Sequence, residues 1–338
     1  MKGSTMRKMV WLLVILVLGW TGYWFVGARG TEAAISAWIA ARQGEGWQAE
    51  AAAVDTGGFP LRFDTVISAP LFADPVTGVA FAADMLEIDS GAYAPTRLTA
   101  RLSEQATIST PYQNIAVAHN GAVAELFVEA GPALTLDHAS VTLDQVTLSS
   151  DLGWGVTLDH GGVDSQRHGD DPLTHALSLT ATGLAPSAGI MAALDPDGLV
   201  SDRFETFDAA LDVTFDKAWD ISALEGPRPQ PRHIKIDRIA ATWGKLDLRL
   251  AGAFDVDARG VAEGKIAIKA TNWREMIALA ESTGVLTPDL AQLATRVGGM
   301  LAGLSGNAET IDAELTLTNG MIVLGFIPLA PAPRFAIR

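Results

Sequence analysis

An apolar run from Met9 to Val26 sets the terms for everything else in this chain. It reads Met9-Val10-Trp11-Leu12-Leu13-Val14-Ile15-Leu16-Val17-Leu18-Gly19-Trp20-Thr21-Gly22-Tyr23-Trp24-Phe25-Val26, without one charged side chain. A helix of about 17–25 apolar residues crosses the hydrocarbon of a bilayer, so the run predicts a transmembrane anchor. Lys2, Arg7 and Lys8 precede it and Arg29 follows it, a bias that keeps the amino terminus in the cytoplasm and sends the rest across. A cleaved signal peptide has a shorter apolar core, about 7–15 residues, ending at small residues. Gly27-Ala28-Arg29 is the nearest such site, but Trp20, Tyr23, Trp24 and Phe25 occupy the approach to it and read as an interfacial aromatic belt. The expectation is an uncleaved, single-pass anchor, because no second run reaches spanning length.

The net charge of −15 hides an asymmetry. Residues 1–29 hold four basic side chains and no acidic one, leaving 20 basic against 39 acidic, a net −19, for the body. Such a body repels the phosphates of nucleic acid and does not lie flat on an anionic membrane surface. The chain has no cysteine, which excludes disulfides, thiolate metal sites and cysteine nucleophiles. A body of this length buries a core without such staples.

After the anchor, Thr31 is placed to cap a short amphipathic helix through Ile35, Trp38 and Ile39, ended by Gly44 and Gly46. This helix packs on the first strands or lies in the membrane interface. From Ala49 to Ala270 the pattern changes to short alternating segments broken by Gly, Pro, Asn and Asp, the mark of antiparallel strands with one buried face. The clearest run is Asp208–Asp216, with Ala209, Leu211, Val213 and Phe215 on one side; Leu246, Leu248, Leu250, Phe254 and Val256 repeat it. Weaker copies lie at 61–67, 86–88, 98–102, 122–128, 134–136, 177–179, 234–236 and 266–270. Parity slips at Asp144-Gln145, as a bulge or tight turn demands.

Two helices follow. Asn272 and Glu275 have capping-box spacing, and Thr287-Pro288 opens a second helix with Leu290, Leu293, Ala294, Val297, Leu301 and Leu304 on one face. Both must cover part of the sheet. Strand alternation returns at Ile311, Ala313, Leu315 and Leu317, and Asn319-Gly320 turns it into Met321–Leu324 as a hairpin. The fold class is therefore mainly β with some α: a transmembrane helix, then an elongated, curved antiparallel sheet partly covered by two C-terminal helices. Residues 1–29 read as cytoplasmic tip and anchor, 30–330 as the body with a secondary boundary at the Pro-rich stretch 225–231, and 331–338 as a tail.

Chemistry is sparse. Asp159-His160-Gly161-Gly162-Val163-Asp164, with His168, Asp170, Asp171 and His175, gathers metal-ligand types but matches no metal spacing and reads as a Gly- and Asp-rich loop between strands. The chain has no Gly-x-Ser-x-Gly elbow, no His-Glu-x-x-His and no phosphate-cradling glycine signature. No catalytic residue, metal or cofactor is assigned, and the chain is expected not to be an enzyme. Tryptophans at Trp154, Trp219 and Trp243 read as packing positions within strands.

Gly57-Gly58-Phe59-Pro60-Leu61-Arg62-Phe63 stands where the body begins. With Ala37-Trp38-Ile39-Ala40-Ala41-Arg42 and Leu315-Thr316-Leu317-Thr318-Asn319-Gly320, it resembles an uncharacterised family of membrane-anchored bacterial envelope proteins, a domain of unknown function. The Gly58-Phe59-Pro60 motif and the closing hairpin are also similar to the wider AsmA-like group. That likeness implies an inner-membrane anchor, a long periplasmic sheet and lipid handled in an apolar groove. Phe59 is placed to staple the chain into the sheet, with Pro60 fixing the backbone ahead of the first strand.

The combined expectation is a non-enzymatic, single-pass inner-membrane protein, its amino terminus cytoplasmic and its body periplasmic. It binds lipid or an envelope partner along the apolar face formed by Leu211, Val213, Phe215, Leu246, Leu248, Leu250, Leu315 and Leu317. Two other readings stand beside it: a closed scaffold for envelope protein assembly, and a periplasmic hydrolase using the 159–175 stretch.

Overall fold

Lys2–Gly44 forms one uninterrupted helix, α1, about 65 Å long at 1.5 Å per residue. The computed structural model describes residues 2–196, 198–284, 286–305, 307–325 and 327–337. The helix is long and apolar enough to cross a membrane, and the side chains from Met9 to Leu18 are exposed. Thr31 does not begin a second helix: its hydroxyl donates to the Gly27 carbonyl one turn back (3.1 Å), inside the same helix. Nothing breaks the chain there, because Gly30 alone is a weak breaker and its neighbours are good helix formers. The expected stop is found, with Gly46 in the left-handed region just beyond Gly44.

The chain divides into two units, Met1–Ala118 with Ala122–Glu125, and His119–Gly121 with Leu126–Arg338. The first contains β1 (Gln48–Glu50), β2 (Ala53–Gly57), β3 (Arg62–Ser68), β4 (Leu71–Ala73), β5 (Ala80–Ala83), β6 (Met85–Gly91), β7 (Ala94–Leu102), β8 (Gln105–Ser109) and β9 (Asn114–Ala118). These are the halves of longer kinked strands. β2 pairs with β3 and β1 with β4 in one register, while β3 pairs with β6 and β4 with β5 in another. The kink between β3 and β4 falls at Ala69, which has φ of 45°, followed by Pro70. α1 packs on this sheet, with the Trp38 ring 5.3 Å from that of Phe72.

β10 (Gly121–Val128) leads to the second unit. There β11 (Leu136–Ser150), β12 (Gly155–His168), β13 (Asp171–Pro186), β14 (Phe204–Phe215), β15 (Pro231–Trp243), β16 (Leu246–Val256) and β17 (Ala262–Thr271) pair each with the next, all antiparallel. β18 (Thr310–Thr318), β19 (Met321–Leu324) and β20 (Ile327–Pro331) complete the open meander. Asn319 and Gly320 both have positive φ, 52° and 73°, as the type I′ hairpin between paired Thr318 and Met321 requires. The Pro-rich 225–231 stretch lies inside this unit and joins paired strands, Phe215 facing Pro231. Leu134, expected in a strand, has φ of 50° and precedes β11.

The parity slip at Asp144-Gln145 is real but local. Gln145 has φ of 51°, and the flanking pairs Asp144–His160 and Val146–Leu158 keep one register, so the ladder is interrupted without a shift. Trp154 and Trp219 lie outside strands, and Trp219 instead packs on Phe215 with rings 5.6 Å apart.

Short helices α2 (Ala188–Leu194) and α3 (Ser222–Glu225) flank β14, and α4 (Trp273–Ser282) and α5 (Pro288–Ser305) fill the β17–β18 connection. Asn272 precedes α4 without capping it. It sits in the left-handed region at φ 55°, and its side chain turns away to donate to the Lys245 carbonyl on the sheet. The capping-box spacing is thus spent on tying the helix to the strands. Pro288 opens α5 as expected. Its buried positions are Ala291, Gly298 and Ala302 rather than Leu290, Leu293 and Leu301, which are half-buried beside them, while the side chain of Leu304 lies outside the described residues; a Cβ added at Gly298 would lie 2.5 Å from the Trp273 ring.

Candidate functional site

The far end of the apolar run docks on the first unit. Trp20, Tyr23, Trp24, Gly27 and Ala28 recur at helical spacing and share one face of α1. Trp24 is 4% exposed and stacks on Phe63, centroids 5.8 Å apart. Its indole donates to the Arg62 carbonyl (2.7 Å), Trp20 to the Pro60 carbonyl (2.8 Å), and the Tyr23 hydroxyl to the Ala92 carbonyl (2.8 Å). Gly27 permits the approach, since a Cβ there would stand 2.6 Å from the Phe63 ring. These polar handles face the protein, so the aromatic group is a docking collar. Phe59 packs against Trp24 and Phe25 of the helix, not into the sheet. Gly58 has φ of 91°, and a Cβ on it would meet the Arg62 carbonyl at 2.9 Å, so the turn ahead of β3 needs glycine there.

In the second unit, strand pairing assembles one apolar face. The register aligns Leu177, Leu211, Ile236, Gly252, Ile266 and Leu315 in one row across β13 to β18. A second row holds Val141, Val163, Leu179, Ala209, Ile239, Leu250, Ile268 and Ala313 from β11 to β18. A bulge in β15 makes this continuous, because inserting Asp237-Arg238 between Ile236 and Ile239 puts both isoleucines on the same side. Charged side chains take the opposite face, where Lys235 meets Asp212, Arg238 meets Asp208 and Lys265 meets Glu314.

The two ends of the apolar face are covered. At one, Val213, Phe215, Ile234, Ile236, Phe254, Val256, Ala262 and Leu317 form a buried cluster, with Leu177, Leu211, Ile239 and Ile266 of the sheet beside it and Ala332, Phe335 and Ile337 packed on it. The carboxyl-terminal segment is held there by the Phe335 amide on the Gly260 carbonyl (2.9 Å) and by Gln230, bonded to both backbone groups of Ile337. At the other end, Leu248 and Ile311 lie against Trp273, Met276 and Ile277. A recess of about 280 Å³ opens there among Leu194, Trp243, Leu248, Met276, Leu279 and Ala280. Between the covers, Leu179, Leu250, Ile268 and Leu315 are half-buried and Val163 is 48% exposed, while Ala209 and Ile236 are buried.

The eight expected groove residues therefore share one face but not one environment. Leu250 and Leu315 are half-buried between the covers, and Leu211 is half-buried at the edge of the covered cluster. Val213, Phe215 and Leu317 are buried under the carboxyl-terminal segment, Leu248 lies under α4, and Leu246 is buried.

The 159–175 stretch is not a loop. It is most of the β12–β13 hairpin, whose turn is only Gly169-Asp170. Strand pairing separates its histidines: His160 lies on the charged face beside Asp144 (2.8 Å), while His175 is in the apolar row with Val213. Among the described residues, no group of three or more His, Asp or Glu side chains is placed to hold a metal ion.

His175 is the polar residue that sequence reasoning misplaced. It is 1% exposed, its Nδ1 3.1 Å from the Ser165 hydroxyl and its ring against Phe215. Burial, and then the charge of Arg167, hold its pKa below the ordinary 6.5. A base with a depressed folded-state pKa binds fewer protons folded than unfolded, so its stability contribution is complete above 6.5 and lost as pH falls below it. The urea midpoint of the protein is expected to drop as pH falls below 6.5, with a smaller drop in His175→Phe. An unchanged pH slope in the variant would remove His175 from this role.

Comparison with curated proteins and with solved structures finds no match. The bacterial family described as "Uncharacterized protein conserved in bacteria (DUF2125)" matches residues 24–333, from the docking collar to the end of the sheet, and the chain belongs to that family.

Proposed function

We propose that this is a non-enzymatic envelope protein, anchored in the inner membrane by α1 with its amino terminus cytoplasmic and its body periplasmic, and that the open rows of the second unit receive a lipid acyl chain. The observation that supports this most directly is the composition of the second row: eight aliphatic or alanine side chains in line, without an aromatic or charged group. Protein interfaces concentrate Tyr, Trp and Arg at their centre; an acyl chain asks only for aliphatic surface.

Dimensions agree. Eight strands at about 4.8 Å spacing give a row of roughly 34 Å, whereas one acyl chain spans half of a hydrocarbon core of about 30 Å. The uncovered apolar rows need a ligand to leave water, and the recess beside Leu248 extends them. This is also the role that likeness to the AsmA-like group implies.

The test is photo-crosslinking of the full chain in bacterial membranes fed a diazirine fatty acid, with adducts mapped by mass spectrometry. Adducts are expected on residues 9–26, which serve as an internal control, and on peptides carrying Leu177, Leu179, Leu211 and Ile239. The second set is expected to vanish in Leu211→Glu. Adducts confined to the anchor would overturn the acyl-chain reading in favour of a scaffold.

A further inference from the structure

The Gly58–Leu61 turn has a property that its place before β3 does not require: apolar side chains are turned outward while three of its four carbonyls are hydrogen-bonded. Phe59 is 50% exposed, Leu61 60% and, on the adjoining β6–β7 hairpin, Tyr93 80%. The Gly58 carbonyl accepts from the Leu61 and Arg62 amides (3.2 and 3.0 Å), and the Leu61 carbonyl accepts from Ala92 (2.9 Å). Pro60 has no N–H to satisfy, and its carbonyl is taken by the Trp20 indole. A turn in water gains little from closing its carbonyls; one at a bilayer surface gains more, because partners for free backbone groups grow scarce toward the hydrocarbon.

Position supplies the second argument. The turn is bonded to Trp20 and Trp24, at the end of the apolar run, and Phe59 packs on Phe25. If α1 spans, these residues sit at the headgroup layer, where Trp and Tyr belong. Immediately behind the tip, Arg62 pairs with Asp64 and Asp89, and Arg101 with Asp89, so a belt of charge limits how deep it goes.

We infer that Phe59, Leu61 and Tyr93 form a membrane-docking tip that lies in the interfacial layer of the bilayer crossed by α1, fixing the body against the lipid surface. This rests on the reading of α1 as a spanning helix. The net −19 body is repelled by anionic lipid as a whole; the tip is the small apolar area that makes contact.

The absence of cysteine allows clean single-site labelling of the full chain. Leu61→Cys, Tyr93→Cys, Val76→Cys and Leu16→Cys are labelled with an environment-sensitive fluorophore and reconstituted in phosphatidylcholine vesicles carrying nitroxide lipids, shallow or deep. Leu61 and Tyr93 are mostly exposed, so neither change endangers folding. Val76 is 90% exposed beside Pro75, which Gly46 approaches, about 36 Å along the helix axis from Trp20. The probes at 61 and 93 are expected to lose most of their emission to shallow nitroxides, the probe at 16 to deep ones, and the probe at 76 to neither. Probes at 61 and 93 behaving like the one at 76, with the one at 16 quenched, would overturn the tip while leaving the anchor intact. An unquenched probe at 16 would remove the anchor and the tip together.

Discussion

Trp273→Ala is expected to lower the stability of the second unit by about 3–5 kcal/mol, the range for truncating a fully buried large aromatic. The indole is 2% exposed and joins α4 to both of its supports. It packs with Ala270 on the sheet and Ala302 on α5, and Gly298 is a glycine because the ring occupies the space a Cβ would need. Its N–H donates to the Ala308 carbonyl (3.1 Å), which Arg274 shares (2.8 Å), and the Arg274 guanidinium lies over its face at 4.3 Å, so truncation also removes a hydrogen bond and a cation–π contact. The small residues of α5 cannot collapse onto the void, since they have no side chain to extend. Urea denaturation should show the lowered midpoint, and hydrogen exchange should place the fastest new exchange in residues 274–302. Met300→Ala, at an exposed position, is expected to stay within about 0.5 kcal/mol. A Trp273→Ala change as small as that would mean that the helices are not held through this ring.

What sequence alone revealed follows from which signals are local. β16 was legible to the residue because Leu246, Leu248 and Leu250 alternate with Asp247 and Arg249 with nothing to interrupt them. The Asn319-Gly320 turn was legible because only such residues take two positive φ values in succession. Other features depend on partners far along the chain. The β15 bulge shows only once β14 and β16 fix the register on either side. Asn272 has capping spacing, yet Lys245, 27 residues away, competes for its side chain and wins. His175 and His160 look like neighbours in a ligand cluster, but the strand pleat sends them to opposite faces. The segment 331–338 reads as a tail by its prolines, whereas Phe335 and Ile337 cover the core, because two apolar residues near an open cluster gain more by burial than by solvation. The eight groove positions fall on one face, but its covers come from residues that are close only after folding.

That distinction gives the sharpest expectation for the apolar face. Leu248→Glu places a carboxylate beneath Trp273, Met276 and Ile277, where nothing pairs it, and is expected to cost on the order of 3–5 kcal/mol at neutral pH. Burial would raise the pKa of the new side chain above the unfolded value of about 4.3, so the folded state would bind more protons and stability would return as pH falls. Leu211→Glu stands at a half-buried position at the edge of the covered cluster, where its longer side chain turns toward the uncovered part of the face, and is expected to cost less, about 1 kcal/mol. Thermal melts of the two variants at neutral and mildly acid pH separate the cases. A large loss at 248 that is partly recovered in acid, beside a small and pH-insensitive loss at 211, is what a face covered only at its ends must give. Equal losses at both positions would make the rows ordinary core, and the acyl-chain reading would then have no surface to rest on.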